Sequence, residues 1–309
     1  MVMSLASVVT IIRMELSNEK EAEMQMKDRV ALVTGASRGA GKGIAIALGA
    51  SGATVYVTGR TRNEGDNPLP GTVEATAHAV TEAGGRGIAL YCDHADDEQV
   101  RAAFAQVERE QGKLDILVNN ATSLHDALTV KGPFWEKPLA LTELWNVGMR
   151  SHYTATHIAA PLLLASDRAL VVHTSSFGGR IYMHGPAYGA GKAAVDKMAH
   201  DMAVDFQPYG VAVVSIWMGL LLTERTRQVF EAEPEMYADL VDTCETPQFT
   251  GRVIEALYRD PQMMERSGKV WIGAELGQDY GVTDINGKQP PSHRAFFGEN
   301  TRFGDAVVE

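Results

Sequence analysis

Seven short β-branched runs, each separated from the next by a longer segment with helical spacing, constrain this chain more than any other feature. The runs are VALV from Val30, TVYV from Thr54, GIALY from Gly87, DILV from Asp115, ALVVH from Ala169, VAVVSIW from Val211 and KVWIG from Lys269. They are nearly continuous in apolar residues, as strands buried on both faces are. Helical patterns fill the intervals at 39–50, 72–83, 98–111, 141–164, 188–206 and 249–258. Strict alternation of strand and crossover helix implies a parallel sheet with right-handed connections and helices on both faces. The expected fold class is α/β, a doubly wound, seven-stranded parallel sheet of Rossmann type in one domain over residues 27–285, with ligands at the carboxyl ends of the strands. Residues 1–26 fall outside the pattern and are expected to form a poorly ordered leader, and 286–309 a loop-rich tail.

Composition narrows the function classes. With 309 residues, 45% of them hydrophobic, the chain can bury one large core. A net charge of -11 without a lysine and arginine run argues against nucleic acid. The apolar stretch MSLASVVTII is too short to span a bilayer and has no preceding positive region, so neither membrane nor export is expected. Cys92 and Cys244 are too few for a disulfide framework, which favours a reducing, cytoplasmic setting. H-E-x-x-H and paired cysteines are missing, so no metal is expected. G-x-S-x-G is missing too, which removes the commonest serine hydrolase pattern.

The first strand-to-helix junction reads TGASRGAG, with Gly35, Gly39 and Gly41 in a G-x-x-x-G-x-G spacing and Ser37, Arg38 and Ala40 between them. Glycines at such a turn let an anion approach the amides and positive dipole end of the helix that follows. The expectation is that a bound pyrophosphate occupies the space of the missing side chains. A Walker loop is excluded, because Ala36 stands where its first glycine belongs and Gly43 follows Lys42.

Further motifs follow in order: CDHAD with Asp93, NNA with Asn120, WNVG with Asn146, HTSSFGG with Ser176, YGAGK with Tyr188 and Lys192, and Thr223 after the sixth strand. Together with the glycine spacing they resemble the short-chain dehydrogenase/reductase family over about residues 27–285. The resemblance implies an oxidoreductase that transfers hydride between a nicotinamide dinucleotide and a carbonyl or secondary alcohol substrate. It implies that Tyr188, Lys192, Ser176 and Asn146 are catalytic. It also implies a cofactor site made by Gly35, Ser37, Arg38, Gly39, Ala40, Gly41, Arg60, Asp93, Asn120, Tyr188, Lys192 and Thr223, and a homodimer or homotetramer. Ser175 is the alternative to Ser176. Two departures bear on the nicotinamide end, where Met218 replaces a usual proline and Thr122 a usual glycine.

The second strand ends in Gly59 and Arg60 where NAD-using relatives carry an acid, and Arg38 lies in the glycine loop. Two guanidiniums and no carboxylate favour the 2′-phosphate of NADP(H). Tyr188 and Lys192, four apart on a helix, have Cβ atoms ~5–6 Å apart. An ammonium ~4 Å away at an effective dielectric of ~20 is worth about 4 kcal/mol before desolvation, so the expectation is a phenol pKa lowered from about 10. Ile181 to Ala187, Leu220 to Asp242 and the residues after NNA are expected to line a hydrophobic substrate space, with Phe177, Tyr182, Met183, Met218 and Phe230 among them. The reading is an NADP-dependent carbonyl reductase. Its rivals are an NAD(P)-dependent alcohol dehydrogenase working in oxidation and a non-catalytic dinucleotide sensor.

Overall fold

The computed structural model describes residues 26–298, so the expected leader up to residue 25 and the last eleven residues of the tail lie outside the described residues. All seven expected strands form one sheet: β1 (Val30–Val33), β2 (Thr54–Gly59), β3 (Arg86–Tyr91), β4 (Ile116–Asn119), β5 (Ala169–Ser175), β6 (Val211–Trp217) and β7 (Val270–Ile272). Every pairing is parallel, in the order β3-β2-β1-β4-β5-β6-β7. The chain runs outward from β1 to β3, then crosses back to β4 on the other side of β1. That reversal opens a crevice beyond the carboxyl ends of β1 and β4, the place where α/β sheets bind ligands.

The period-two alternation of side chains divides the core. Ala31 and Val33 of β1 and Ala212, Val214 and Ile216 of β6 face one layer, while Val30, Leu32, Val211 and Val213 face the other. The first layer is covered by α1 (Gly39–Ala50), α2 (Val73–Glu82) and, further along the chain, the helix Pro247–Arg259. The second is covered by α3 (Asp97–Gln111), α4 (Ser151–Leu164) and α5 (Pro186–Phe206). Local chemistry sets the helix starts. The Thr72 hydroxyl accepts from the Ala75 amide at 3.0 Å ahead of α2, and the Asp96 carboxylate accepts from the Glu98 and Gln99 amides at 3.0 and 3.2 Å ahead of α3.

Three differences from the sequence pattern bear on the site. The helix expected over 141–164 is broken. A turn at Glu143–Trp145 gives way to non-helical backbone at Val147 (φ -112°, ψ 97°) and Gly148 (φ 138°), and α4 starts at Ser151. Beyond β6, the stretch expected to line the substrate space, for which the pattern gave no helix, is folded into α6 (Glu224–Ala232) and α7 (Pro234–Val241), joined by stacked Phe230 and Tyr237 rings 4.9 Å apart, before α8 (Pro247–Arg259). The described part of the tail is packed rather than loose. After α9 (Gly273–Asp279), Arg294 meets Glu275 through two bonds of 2.8 and 2.6 Å, and the Phe297 ring lies 5.0 Å from that of Phe177.

Candidate active site

The turn between β1 and α1 explains its glycines differently from the sequence expectation. A Cβ on Gly35, whose φ is +62°, would lie 2.6 Å from Ala121 Cα, and one on Gly41 would lie 2.5 Å from Asn120 Nδ2. Close packing of this turn on the end of β4 therefore demands both. Gly39, with φ +58°, is the one whose missing side chain opens on looser surroundings, with Thr223 Cγ2 at 3.7 Å. Its amide donates to Glu224 Oε2 at 2.8 Å, so a carboxylate already lies where a helix start attracts an anion.

Asn120 holds this turn. Its Nδ2 donates to the carbonyls of Thr34 and Gly35 at 2.9 and 3.1 Å, and its amide donates to Thr34 Oγ1 at 2.8 Å. Ser37 is buried with its carbonyl accepting from Thr76 Oγ1 at 3.4 Å, and Ala40 packs on the core. Arg38 reaches across to the loop after β2, donating to Pro70 O, Thr61 Oγ1 and Gly71 O at 3.1, 3.0 and 2.7 Å. Arg60 is 68% exposed, and its guanidinium lies 3.6 Å from Asp93 Oδ2. Arg38, Arg60 and Asp93 thus meet at the outer end of the crevice, with Gly59 contributing no side chain.

The inner end carries Tyr188, Lys192 and Ser176 of the four residues expected to be catalytic, while Asn146 Nδ2 donates to Glu143 Oε2 at 3.4 Å. Pro186 and the turn before it start α5, which presents Tyr188 and Lys192 on one face. The Tyr188 hydroxyl donates to Ser176 Oγ at 2.9 Å, and that oxygen also accepts from the Gly178 amide at 3.1 Å. Ser175 points the other way, donating to the Lys192 carbonyl at 3.5 Å. Of the two candidates, Ser176 is the one whose hydroxyl meets the phenol. Lys192 Nζ donates to the Thr174 carbonyl at 3.1 Å and lies 5.9 Å from the centre of the Tyr188 ring. Asn146 stands at the start of the broken segment, whose Val147 carbonyl accepts from the Ser123 amide at 2.7 Å. Thr122, the first departure, turns its hydroxyl toward Gly148, where a Cβ would come within 2.9 Å of it.

The electrostatics correct one expectation. In this chain burial pushes the Tyr188 phenol up from its ordinary value, the bond with Ser176 opposing it. Burial also lowers Lys192 to about 8, against an opposing pull from Asp196. Desolvation therefore outweighs the cation, which spends its proton on a backbone carbonyl rather than beside the phenol oxygen. Beneath the site, His173 Nδ1 lies 3.4 Å from His152 Nδ1, and His152 Nε2 lies 3.2 Å from Ala121 O. Burial holds His152 far below the ordinary imidazole range and His173 at about 3, so both are neutral.

Several residues of the site carried no sequence expectation. Glu224 follows Thr223, which accepts from the Thr226 amide at 3.2 Å as the cap of α6. Glu245 is buried, and its Oε1 accepts from the Gly219 amide at 3.1 Å; this fixes the loop after β6 where Met218 replaces the proline. Asp196 lies one turn beyond Lys192, a spacing visible in the sequence. Phe177, expected along the substrate space, is instead 3% exposed in a small core with Trp217 and Phe297. Among the described residues, no group of three or more His, Cys, Asp or Glu could hold a metal ion, and no helix is long and apolar enough to cross a membrane.

A family model described as short chain dehydrogenase matches residues 29–234. Dehydrogenase/reductase SDR family member 1 of Mus musculus is 40% identical over 275 residues, covering 85% of each chain, and its Homo sapiens counterpart is 36% identical over 274 residues with the same coverage. Among solved structures, a putative dehydrogenase from Xanthomonas campestris superposes with a TM-score of 0.72 at 24% identity, covering 87% of this chain and 98% of the other. Levodione reductase superposes at 0.69 with 20% identity, covering 82% and 99%.

Proposed function

The chain belongs to the short-chain dehydrogenase/reductase family and is an oxidoreductase of that family, and from that premise we propose that it is an NADP-dependent carbonyl reductase acting on hydrophobic ketones or aldehydes. The observation that carries the reading is the Tyr188 hydroxyl 2.9 Å from Ser176 Oγ, with Lys192 on the same helix face. NADPH, when bound, supplies the hydride.

The residues present fit such a group. Gly39 offers an amide that already donates to a carboxylate, and this carboxylate stands in for a phosphate oxygen. Arg38 and Arg60 flank the end of β2, where a 2′-phosphate would take charge-assisted bonds, and Gly59 places no carboxylate there. Ser176 would hold the substrate carbonyl oxygen beside Tyr188, whose phenol donates its proton to that oxygen as charge develops there. A phenol pushed up by burial is protonated at neutral pH, the state that reduction requires. Lys192 fixes the end of β5 through Thr174 and adds positive charge behind the phenol. Exposed Tyr182, half-buried Met183, and the stacked pair Phe230 and Tyr237 on α6 and α7 favour an apolar substrate. We further propose a cytoplasmic homodimer or homotetramer joined through α4 and α5.

Loss of NADPH absorbance against a panel of ketones tests the activity. Arg60→Asp is expected to weaken NADPH by about tenfold or more while leaving NADH nearly unchanged, since a charge-assisted bond contributes roughly 1.5–3 kcal/mol. Equal loss for both cofactors would refute the NADP assignment.

A further inference from the structure

Asp196 is fully buried at the meeting point of three elements that carry the site. Its Oδ1 accepts from Ser215 Oγ at 2.7 Å, and both carboxylate oxygens accept from Trp217 Nε1, at 3.1 and 3.0 Å. Ser215 and Trp217 form the end of β6, immediately before Met218 and Gly219. From the β5 side, the Ser175 side chain favours the ionised carboxylate and the Arg180 guanidinium lies 3.7 Å away. The backbone of the same loop passes directly over the carboxylate, since a Cβ on Gly179 would lie 3.0 Å from Asp196 Oδ2. Ser175 and Arg180 bracket Ser176, and Asp196 lies on α5 four residues beyond Lys192, which is itself four beyond Tyr188. One carboxylate thus touches the strand end before the serine, the strand end before the nicotinamide loop, and the helix of the tyrosine and lysine.

We propose that Asp196 is a positioning residue for the proton-donating machinery: it ties the ends of β5 and β6 to α5 and supplies the buried counter-charge that keeps Lys192 protonated. The assignment rests on the oxidoreductase reading of this site. Lys192 faces Tyr188 on its own helix, the Thr174 carbonyl and neutral His173 from β5, and neutral His152 from α4. Of these, none offers it a negative charge. Asp196 faces Arg180, Ser175, Ser215 and Trp217, all of which favour its ionised form against the cost of burial. A carboxylate one helical turn from a buried ammonium favours the charged form of that ammonium against the cost of burial.

The test reads the two groups without turnover. In protein carrying carbon-13 at lysine Cε and aspartate Cγ, assigned by Lys192→Arg and Asp196→Asn, the titration midpoint of Lys192 is followed by nuclear magnetic resonance. Asp196→Asn, which keeps shape and an acceptor, is expected to lower that midpoint by about one pH unit. Asp196→Glu is expected to restore it. Should Asp196→Asn fail to fold, Lys192→Met gives the reciprocal reading: the Asp196 midpoint rises by a similar amount, as linkage requires. The high-pH limb of ketone reduction is expected to move down in step with the Lys192 midpoint in Asp196→Asn. An unmoved Lys192 midpoint, or an activity loss uniform across pH, would overturn the proposal and leave Asp196 a packing residue. Neither midpoint needs a substrate, so a wild-type protein inactive on every ketone would overturn the proposed function and not this assignment.

Discussion

Ser175 and Ser176 are adjacent, yet one hydroxyl turns toward the helix backbone and the other toward the phenol. The alternation of a strand's last residues decides this, so the choice between them was legible once the strand end was known. That Tyr188 and Lys192 share a helix face was legible from their spacing, whereas the role expected of them came from the motif order and the family resemblance. Their electrostatics were not, because the balance of burial against charge depends on what surrounds them. Glu245 was illegible altogether: its partner, the Gly219 amide, lies at the far end of the α6 and α7 excursion, and no local pattern links them. Burial raises the Glu245 carboxyl from 4.5 to about 7. A folded pKa above the unfolded one means that the contribution to stability is complete below about 4.5 and is lost as pH rises through about 7. The expected outcome is a urea midpoint that declines between those values in the wild type, by an amount equivalent to about 3 kcal/mol at most, with that component gone in Glu245→Gln. An unchanged profile would show that Glu245 titrates normally.

Among the elements, the strands and the helices packed on the sheet follow from hydrophobic period and caps, whereas the break ahead of α4 does not. The apolar spacing over 141–164 continues through the break, and a single helix is what that period predicts. What interrupts it is tertiary: the Val147 carbonyl is taken by the Ser123 amide from the loop after β4, and Gly148 adopts a φ of 138° that other residues rarely reach. WNVG carried a hint in its glycine. Gly148→Val is expected to lower stability by roughly 1–3 kcal/mol, from backbone strain and the 2.9 Å approach to Thr122 Oγ1. Thermal unfolding measures it. Adding Thr122→Gly is expected to recover the part due to the clash and not the part due to φ.

For the whole molecule, alternation of strand and helix predicted one doubly wound parallel sheet, and the outcome agrees with that fold, while the strand order that opens the crevice beside β1 and β4 is read from the structure. The tail is where whole-chain reading fell short. Its composition is that of a loop, and its attachment rests on specific side chains: Arg294 and Ser292 on Glu275, Gln289 Nε2 on the Ala274 carbonyl at 3.2 Å, and Phe297 against Phe177. Such contacts have no period to betray them. Removing residues 289–309 is expected to lower the unfolding temperature by several degrees, since burying an aromatic ring contributes about 1.5–3 kcal/mol. Glu275→Gln alone should cost less, because its partly exposed ion pair contributes only about 1 kcal/mol. Scanning calorimetry on both variants distinguishes an anchored tail from an idle one.

The account stands on a phenol that donates its proton to a substrate oxygen held by Ser176, and Tyr188→Phe removes that one hydroxyl while keeping the ring. Paired measurement of ketone turnover and NADPH binding, the latter by cofactor fluorescence, tests it most directly. Turnover is expected to fall at least about 100-fold while the NADPH Kd stays within about threefold. Turnover that survives the loss of the hydroxyl would contradict the account.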